Sequence, residues 1–205
     1  MALISVTIPT KNRPVLLARA LRSVLDQDDD VQVVVIDDGS DPDNRDRIVE
    51  ICGADERVVL HRNDPSRGAP AGRNQGLALA RATYWATLDD DDQWLPGKWK
   101  AQRAILERDP APGDLVVVSA IRPSVEEAEV TRHAPKLGAP ERPSSLGLLL
   151  ERVPLRVFLN SYVVPTELMR SIGGYDERFI WGEHTDVLIR LMAVARFAGT
   201  DEVGV

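Results

Sequence analysis

Short apolar runs alternate with helix-period segments through the first 120 residues, and three of those runs stop at clusters of polar residues. Leu3 to Ile8 is ended by Pro9 and followed by Thr10-Lys11-Asn12-Arg13. Val31 to Ile36 is stopped by Asp37-Asp38-Gly39-Ser40-Asp41-Pro42. Tyr84 to Leu88 delivers Asp89-Asp90-Asp91-Asp92. Runs this short and this apolar read as strands covered on both faces. Between the first two, Leu16, Ala20 and Val24 recur every four residues, as do Leu17, Leu21 and Leu25. That stripe predicts a helix opened by Pro14 and ending near Gln27. Further helices are expected over Asn44 to Cys52, Arg73 to Ala82 and Pro96 to Arg108, with strands at Val58 to His61 and Leu115 to Ser119. Strand and helix in alternation argue for a parallel, doubly wound sheet. In such sheets ligands bind beyond the carboxyl ends of the strands. All three polar clusters stand at such ends, although turn chemistry accounts for any one of them alone.

The chain has 205 residues, which suits one domain or one domain with an appendage. Its formal net charge is −7, and no basic stretch is long enough to track a nucleic-acid backbone, so no nucleic-acid partner is expected. One cysteine, Cys52, excludes an internal disulfide framework and fits a reducing compartment; its place on the apolar side of a short helix marks it as buried filler. The N-terminus lacks a basic region ahead of its apolar residues and reads as a strand, not a signal peptide. Apolar runs such as Leu146 to Leu150 are far too short to span a bilayer. A cytoplasmic location is expected, with peripheral membrane contact left open.

The four consecutive aspartates carry the strongest chemical signal. Packed like charges repel, so part of the cluster stays protonated unless a cation sits among them. At the end of a buried strand, facing a cleft, they make a hard-cation site for Mg²⁺ or Mn²⁺, whose natural partner is the diphosphate of a nucleotide. The alternative is a solvated acidic turn.

Beyond Ser119 the alternation breaks. Arg122 to Pro143 holds four prolines and Glu126, Glu127 and Glu129, and reads as an irregular, mobile insertion over the sheet edge. A short helix is expected over Ser144 to Arg152 and a strand over Phe158 to Val164. Thr166 is expected to cap a short helix that Gly173-Gly174 ends. Tyr175 to Phe179 reads as a turn, and Glu183 to Ala198 as a long amphipathic helix with Val187, Leu191 and Val194 on one side. Arg196 to Val205 would contribute a final strand.

The ordered set of motifs resembles the family 2 glycosyltransferases. It comprises Val6-Thr7-Ile8-Pro9-Thr10 with Asn12-Arg13, Val35-Ile36-Asp37-Asp38-Gly39-Ser40, Gly72-Arg73-Asn74-Gln75-Gly76-Leu77 and Leu88 to Asp92. Ile172-Gly173-Gly174-Tyr175-Asp176-Glu177 and Gly182-Glu183-His184-Thr185-Asp186 complete it. The resemblance covers nearly the whole chain. It implies an α/β, Rossmann-like GT-A fold with a mixed, mainly parallel sheet flanked by helices. It also implies a single domain over 1–205, with a nucleotide-binding half at 1–120 and an acceptor-binding half at 121–205. The implied reaction is inverting transfer of a sugar from a nucleotide-diphosphate sugar to an acceptor hydroxyl, dependent on Mg²⁺ or Mn²⁺. UDP- or dTDP-sugars are the expected donors, and the acceptor is a saccharide, a lipid or a small molecule.

Residue by residue, the resemblance places Thr10, Asp37 and Asp38 at the base and ribose, Arg73 at the nucleotide, and Pro9, Asn12, Arg13, Asp89 and Asp90 among the other nucleotide-binding residues. A helix N-terminus at Arg73 would also favour an anion, whereas a surface salt bridge is its plain alternative. Asp89 and Asp91 match the family's DxD motif; alternate side chains of an extended backbone share a face, so these two can point together. Asp91 is the expected metal ligand and Asp89 a ribose or water-mediated contact, with Asp90 and Asp92 as alternatives because four acids in a row leave the register loose. Lys98 is either a phosphate partner or an exposed helix lysine. Trp94 and Pro96 look structural, and Trp181 is an acceptor-side stacking residue or a core residue. The family usually has Glu-Asp at the start of the late helix; here His184 takes the second place. Glu183 holds the position of the general base, and Asp186 lies on nearly the same helical face. Two other activities stay open: a non-catalytic nucleotide-sugar binding module of the same fold, and a nucleotidyltransferase. The absence of glycine from Pro9 to Arg13 speaks against the second. Family members commonly continue beyond the final strand, and acceptor-binding or membrane-associating structure is one expectation for that continuation.

Overall fold

The computed structural model describes residues 3–120 and 159–205. The expected insertion at Arg122 to Pro143 and the expected helix at Ser144 to Arg152 fall outside the described residues. Four strands, β1 (Ile4–Thr10), β2 (Val31–Asp37), β3 (Val58–Arg62) and β4 (Tyr84–Thr87), run parallel in the order β3-β2-β1-β4. Three more extend the sheet: β5 (Leu115–Ala120), β6 (Tyr162–Pro165) and β7 (Arg196–Val203), giving β3-β2-β1-β4-β6-β5-β7. β6 is antiparallel to both of its neighbours, while β7 is parallel to β5. One reversed strand therefore makes the sheet mixed rather than wholly parallel.

The helices are α1 (Pro14–Leu25), α2 (Pro42–Cys52), α3 (Ala69–Leu79), α4 (Lys98–Arg108), α5 (Thr166–Ser171) and α6 (Glu183–Val194). They cover both faces of the sheet. Leu17 of α1, Ile48 of α2 and Trp99 of α4 pack with Val6, Val33 and Val117. Leu77 of α3, Met169 of α5 and Val187 of α6 pack with Trp85, Val116 and Val118. Successive residues of β5 thus enter opposite cores, as the two-residue period of a strand requires. Gly76 lets α3 lie against β1: a Cβ there would stand 2.1 Å from Thr7 Cγ2.

Several helix ends differ from the sequence pattern. α2 starts two residues early, at Pro42, because Asp41 caps it by accepting a hydrogen bond from the Asn44 backbone N–H (3.0 Å). α3 starts at Ala69, directly after Gly68 with its positive φ of 89°, and ends at Leu79. Arg73 is therefore in the second turn and not at the helix N-terminus. Thr166 does not cap α5; its hydroxyl donates to the Ala82 carbonyl (2.7 Å) and ties the helix to the sheet. Gly173 and Gly174 do end α5 in left-handed conformations. α6 stops at Val194, since Phe197 and Ala198 enter the sheet beside β5 and Arg196 pairs with Asp109 and Asp114. Tertiary pairing there overrides a helical periodicity that continues in the sequence. Cys52 is buried as expected, and burial pushes its thiol up to about 12.

Candidate functional site

The carboxyl ends of β1, β2 and β4 lie side by side, so the three polar clusters that follow them meet. Between them is a cleft of about 410 Å³ lined by Pro9, Thr10, Arg13, Asp38, Arg73, Asp89, Asp90 and Asp91, with Lys11 and Ala69. Asn12 and Asp37 do not line it. Asn12 adopts φ 59° and staples two loops together: its N–H donates to Ser40 Oγ (2.8 Å) and its Oδ1 accepts from the Asp41 N–H (2.8 Å). Asp37 is 1% exposed; its Oδ2 accepts from Arg62 (2.5 Å) and its Oδ1 from the Ser40 N–H (3.0 Å).

Asp38 reaches the cleft, yet its oxygens are already occupied. Oδ1 accepts from Asn63 Nδ2 and the Arg67 N–H, and Oδ2 from Ser66 Oγ and the Gly68 N–H, all at 2.6–2.8 Å. Burial opposes its charge, but these four donors outweigh burial and hold the carboxyl below the usual carboxylate range. Asp38 thereby fixes the loop that leads into α3. Its partners lie 25–30 residues along the chain, so these bonds are tertiary and the local Asp-Gly turn does not account for them.

The four aspartates after β4 have four different surroundings. They are not extended: the Asp92 N–H donates to the Asp89 carbonyl (3.1 Å), closing a turn. Asp90 points back into the molecule, accepting from Thr10 Oγ1 (2.7 Å) and Arg13 Nη1 (3.1 Å). Its burial raises its pKa against those two contacts. One oxygen each from Asp89, Asp91 and Asp92 lies within 4.8 Å of the other two, and Asp91 also meets Arg13 Nη1 (3.2 Å). Asp89 and Asp91 do come together, but through a turn rather than strand alternation, and Asp92 joins them. Asp92 is pushed up to about 6 by burial and by the charges of Asp89 and Asp91, with Asn160 opposing. Three carboxylates converging this closely fit a hard divalent cation, whose oxygen ligands lie ~2.1 Å from the ion and up to ~4.2 Å apart across it. Mg²⁺ and Mn²⁺ both suit this donor set.

Asn160 was not apparent as a site residue. It is buried just before β6, its Oδ1 accepts the Asp89 N–H (3.1 Å), and its Nδ2 donates to Asp92 Oδ2 and, at 3.4 Å, to Asp89 Oδ2. It thus holds the turn at both ends. No local pattern marks such an asparagine, 71 residues from its partner.

Arg73 is buried (4% exposed), which rules out a surface salt bridge. Its guanidinium donates through Nη2 to Asp89 (2.8 Å) and through Nη1 to Glu183 Oε1 (2.9 Å), and lies 5.6 Å from the centre of the Tyr175 ring. One cation therefore joins the aspartate turn to the start of α6. His184 Nε2 lies 3.2 Å from the same Glu183 Oε1, while its buried Nδ1 has no partner among the described residues. Burial, and then Arg73, push the imidazole pKa down, so the ring is neutral near pH 7. Glu183 Oε2 accepts no hydrogen bond from the described residues. Asp186 is engaged elsewhere: Oδ2 accepts from Arg190 Nη2 (2.6 Å) and Nε (3.0 Å), and the same guanidinium donates to the Ile172 and Gly174 carbonyls. Arg190, held by Asp186, thereby clasps α6 to the glycine turn.

Of the remaining candidates, Lys98 is corrected and Trp181 loses only its core alternative. Lys98 neither reaches the cleft nor faces solvent. It is fully buried, 4.4 Å from the centre of the Trp94 ring, and donates to Gln102 Oε1 (2.6 Å). Trp181 is 88% exposed and is no core residue, whereas Trp94 is buried at 2% as a structural residue should be.

A doubly wound sheet with an acidic turn at its central strand tip and a carboxylate at the start of a late helix defines the GT-A architecture. Residues 5–162 match glycosyl transferase family 2, and the chain belongs to that family. It is 38% identical over 97 residues to the putative colanic acid biosynthesis glycosyl transferase WcaA of Escherichia coli, covering 47% of this chain and 35% of that protein. It is 36% identical over 99 residues to the GalNAc(5)-diNAcBac-PP-undecaprenol beta-1,3-glucosyltransferase of Campylobacter jejuni, covering 47% and 32%. The chain thus matches about a third of the length of these relatives. Among solved structures, Staphylococcus aureus TarS 1-349 superposes with a TM-score of 0.80 at 22% identity, covering 100% of this chain and 59% of TarS. TarS has also been solved with UDP-GlcNAc. The mannosyltransferase PcManGT of Pyrobaculum calidifontis, in complex with GDP-Man and Mn²⁺, superposes with a TM-score of 0.71 at 18% identity, covering 98% and 55%. At those identities the likeness is one of fold.

Proposed function

We propose that this chain is the donor-binding and catalytic domain of an inverting glycosyltransferase that uses a nucleotide-diphosphate sugar and Mg²⁺ or Mn²⁺. The observation that carries the proposal is the convergence of Asp89, Asp91 and Asp92 beside a cleft whose buried arginine also holds Glu183. Asp91 and Asp92 would hold the cation, with Asp89 shared between it and Arg73. When bound, a divalent ion there supplies positive charge against the charge that develops on the departing nucleoside diphosphate. Pro9, Thr10, Arg13, Asp38 and Arg73 shape the nucleotide side, while Asn12 and Asp37 support the loops that present it.

Inverting transfer needs a base that takes the acceptor hydroxyl proton as that oxygen attacks the anomeric carbon from the face opposite the leaving group. Glu183 suits this role. Its Oε1 is fixed by Arg73, leaving Oε2 to receive the proton. Asp186, fastened to Arg190, serves as the support of the helix that carries Glu183. A UDP- or dTDP-sugar is the proposed donor, supported by the UDP-GlcNAc complex of TarS. A lipid-linked saccharide is the proposed acceptor, supported by the undecaprenol-linked substrate in the name of the C. jejuni relative.

The test is titration of the chain with a panel of sugar nucleotides, with Mn²⁺ and with EDTA, followed by measurement of slow donor hydrolysis. Metal-dependent binding of at least one donor, lost in Asp91→Ala, is the expected result. No binding of any donor under either condition would reject the proposal. The neutral His184 in place of an acid favours a second reading, a nucleotide-sugar binding module; binding without turnover of any donor, in the presence of acceptors, would select it.

A further inference from the structure

The loop that leads into Glu183 carries three consecutive apolar residues, Phe179, Ile180 and Trp181. Ile180 is 87% exposed and Trp181 88%. Isolated exposed apolar side chains are ordinary, but a contiguous group on a projecting loop calls for a partner. The loop is held out from a fixed base. Tyr175 is buried and its N–H donates to Asn74 Oδ1 (2.8 Å), Arg178 pairs with Asp176 (2.6 Å), and the Phe179 N–H donates to the Asp176 carbonyl (3.2 Å). Gly182, with φ 84°, then turns the chain directly into α6. The tip and the Glu183 carboxylate are therefore fastened to one another.

Three kinds of occupant differ in what they ask of this tip. A second copy of the chain would need ~800 Å² from each partner. Three side chains offer a few hundred at most, since even an aromatic one buries only ~150–250 Å². A soluble saccharide would stack on the indole face of Trp181 but leaves Ile180, which has no flat face, unexplained. A bilayer interface takes an indole at headgroup level and an aliphatic side chain beside it without any matching surface. Arg178 is paired with Asp176, so the tip offers this interface apolar side chains rather than free charge.

We propose that the Phe179–Trp181 tip inserts into the interface of a lipid bilayer, turning the Glu183 side of the cleft toward acceptors carried on lipid. The orientation rests on Glu183 as the acceptor-side base; the insertion does not.

Trp85, Trp94 and Trp99 are 0–2% exposed, so Trp181 is the tryptophan open to a quencher. The chain is mixed with phosphatidylcholine vesicles, with and without phosphatidylglycerol, whose acyl chains carry bromine. The expected result is a blue shift and quenching of Trp181, both absent in Trp181→Phe, and at least a tenfold lower vesicle-bound fraction for Ile180→Asp. Metal-dependent donor binding by Ile180→Asp is measured alongside; its retention shows that fold and cleft are intact. Absence of lipid quenching overturns the proposal, as does vesicle binding that Ile180→Asp leaves unchanged. So does shielding of Trp181 only by soluble saccharide, or only by self-association in lipid-free buffer. Lipid quenching in a chain that binds no donor would uphold the membrane contact and sink the transferase reading instead.

Discussion

Replacing Arg73 probes the connection between the two halves of the site. Its guanidinium makes charge-assisted hydrogen bonds to Asp89 at 2.8 Å and to Glu183 at 2.9 Å. Each such contact is worth ~1.5–3 kcal/mol when both groups are buried. The Glu183 side chain is 12% exposed and that of Asp89 32%, so water weakens the second contact more than the first. Arg73→Met removes both contacts and leaves two carboxylates without their cation, an expected loss of ~2–4 kcal/mol. Arg73→Lys keeps the charge but not the planar fork that reaches both acceptors, and should lose about half as much. Urea unfolding at pH 7 in metal-free buffer measures both. A cycle with Glu183→Gln isolates the pair: Glu183→Gln should cost ~1–3 kcal/mol less in the Arg73→Met background than in the native chain. Additivity within ~0.5 kcal/mol would mean that Arg73 and Glu183 do not hold one another, and the account of Glu183 as a positioned carboxylate would fail.

Three further outcomes are expected. Glu183→Gln should lower transfer by ~10²–10⁴-fold with donor binding kept, whereas Asp186→Asn should lower the melting temperature and leave most of the turnover; a pair of transfer assays with the reverse ranking would make Asp186 the base. Asn160→Ala should weaken Mn²⁺ binding ~10–100-fold in a paramagnetic titration, because the turn loses its hold on Asp89 and Asp92. Burial lowers Lys98 to about 7, so the folded chain binds fewer protons than the unfolded chain from about pH 7 to the unperturbed lysine value, and stability rises with pH across that window. The gap amounts to on the order of 3–5 kcal/mol, against which Lys98→Met loses the ring contact with Trp94 and the bond to Gln102. The variant should still be the more stable form at pH 6 and lose that advantage by pH 10, as urea unfolding at the two pH values would show.

What could be read from the sequence follows the range of the interactions responsible. β1, β2 and β4 were legible because Val, Ile and Leu runs of strand length carry their burial in their own composition, and the polar clusters could be placed at strand ends for the same reason. The extent of α6 was not, because Ala195 to Ala198 continue a helical pattern that pairing with β5 overrides. Lys98 sits among Lys100, Arg103 and other charged residues and reads as surface; Trp94 covers it, and Gly204 packs close to its stem. Arg73 looks like any helix arginine until Glu183, 110 residues away, is brought to it. Antiparallel β6 reads locally like any other apolar strand, since direction leaves no mark in composition.

The four aspartates after β4 show what folding adds to a motif. In sequence they are equivalent, and the register of a metal site among them is open. In the fold, Asp90 pairs with Arg13 and accepts from Thr10, Asp89 pairs with Arg73, and Asp91 meets Arg13 only at 3.2 Å on an exposed side. Among the described residues Asp92 has an amide, Asn160, and no cation. Compensation therefore decreases along the turn, and the surplus negative charge collects on the side formed by Asp91 and Asp92. Arg13 and Arg73 are spent on the acids that face them, so a diphosphate approaching this cleft meets carboxylates more readily than free guanidinium groups. Lys11 is the other cation lining the cleft, and under the proposed function a divalent ion at the Asp91–Asp92 side would add the attraction for a nucleotide diphosphate. For that reason metal dependence of donor binding, rather than donor binding alone, is the property that follows from this arrangement of charges.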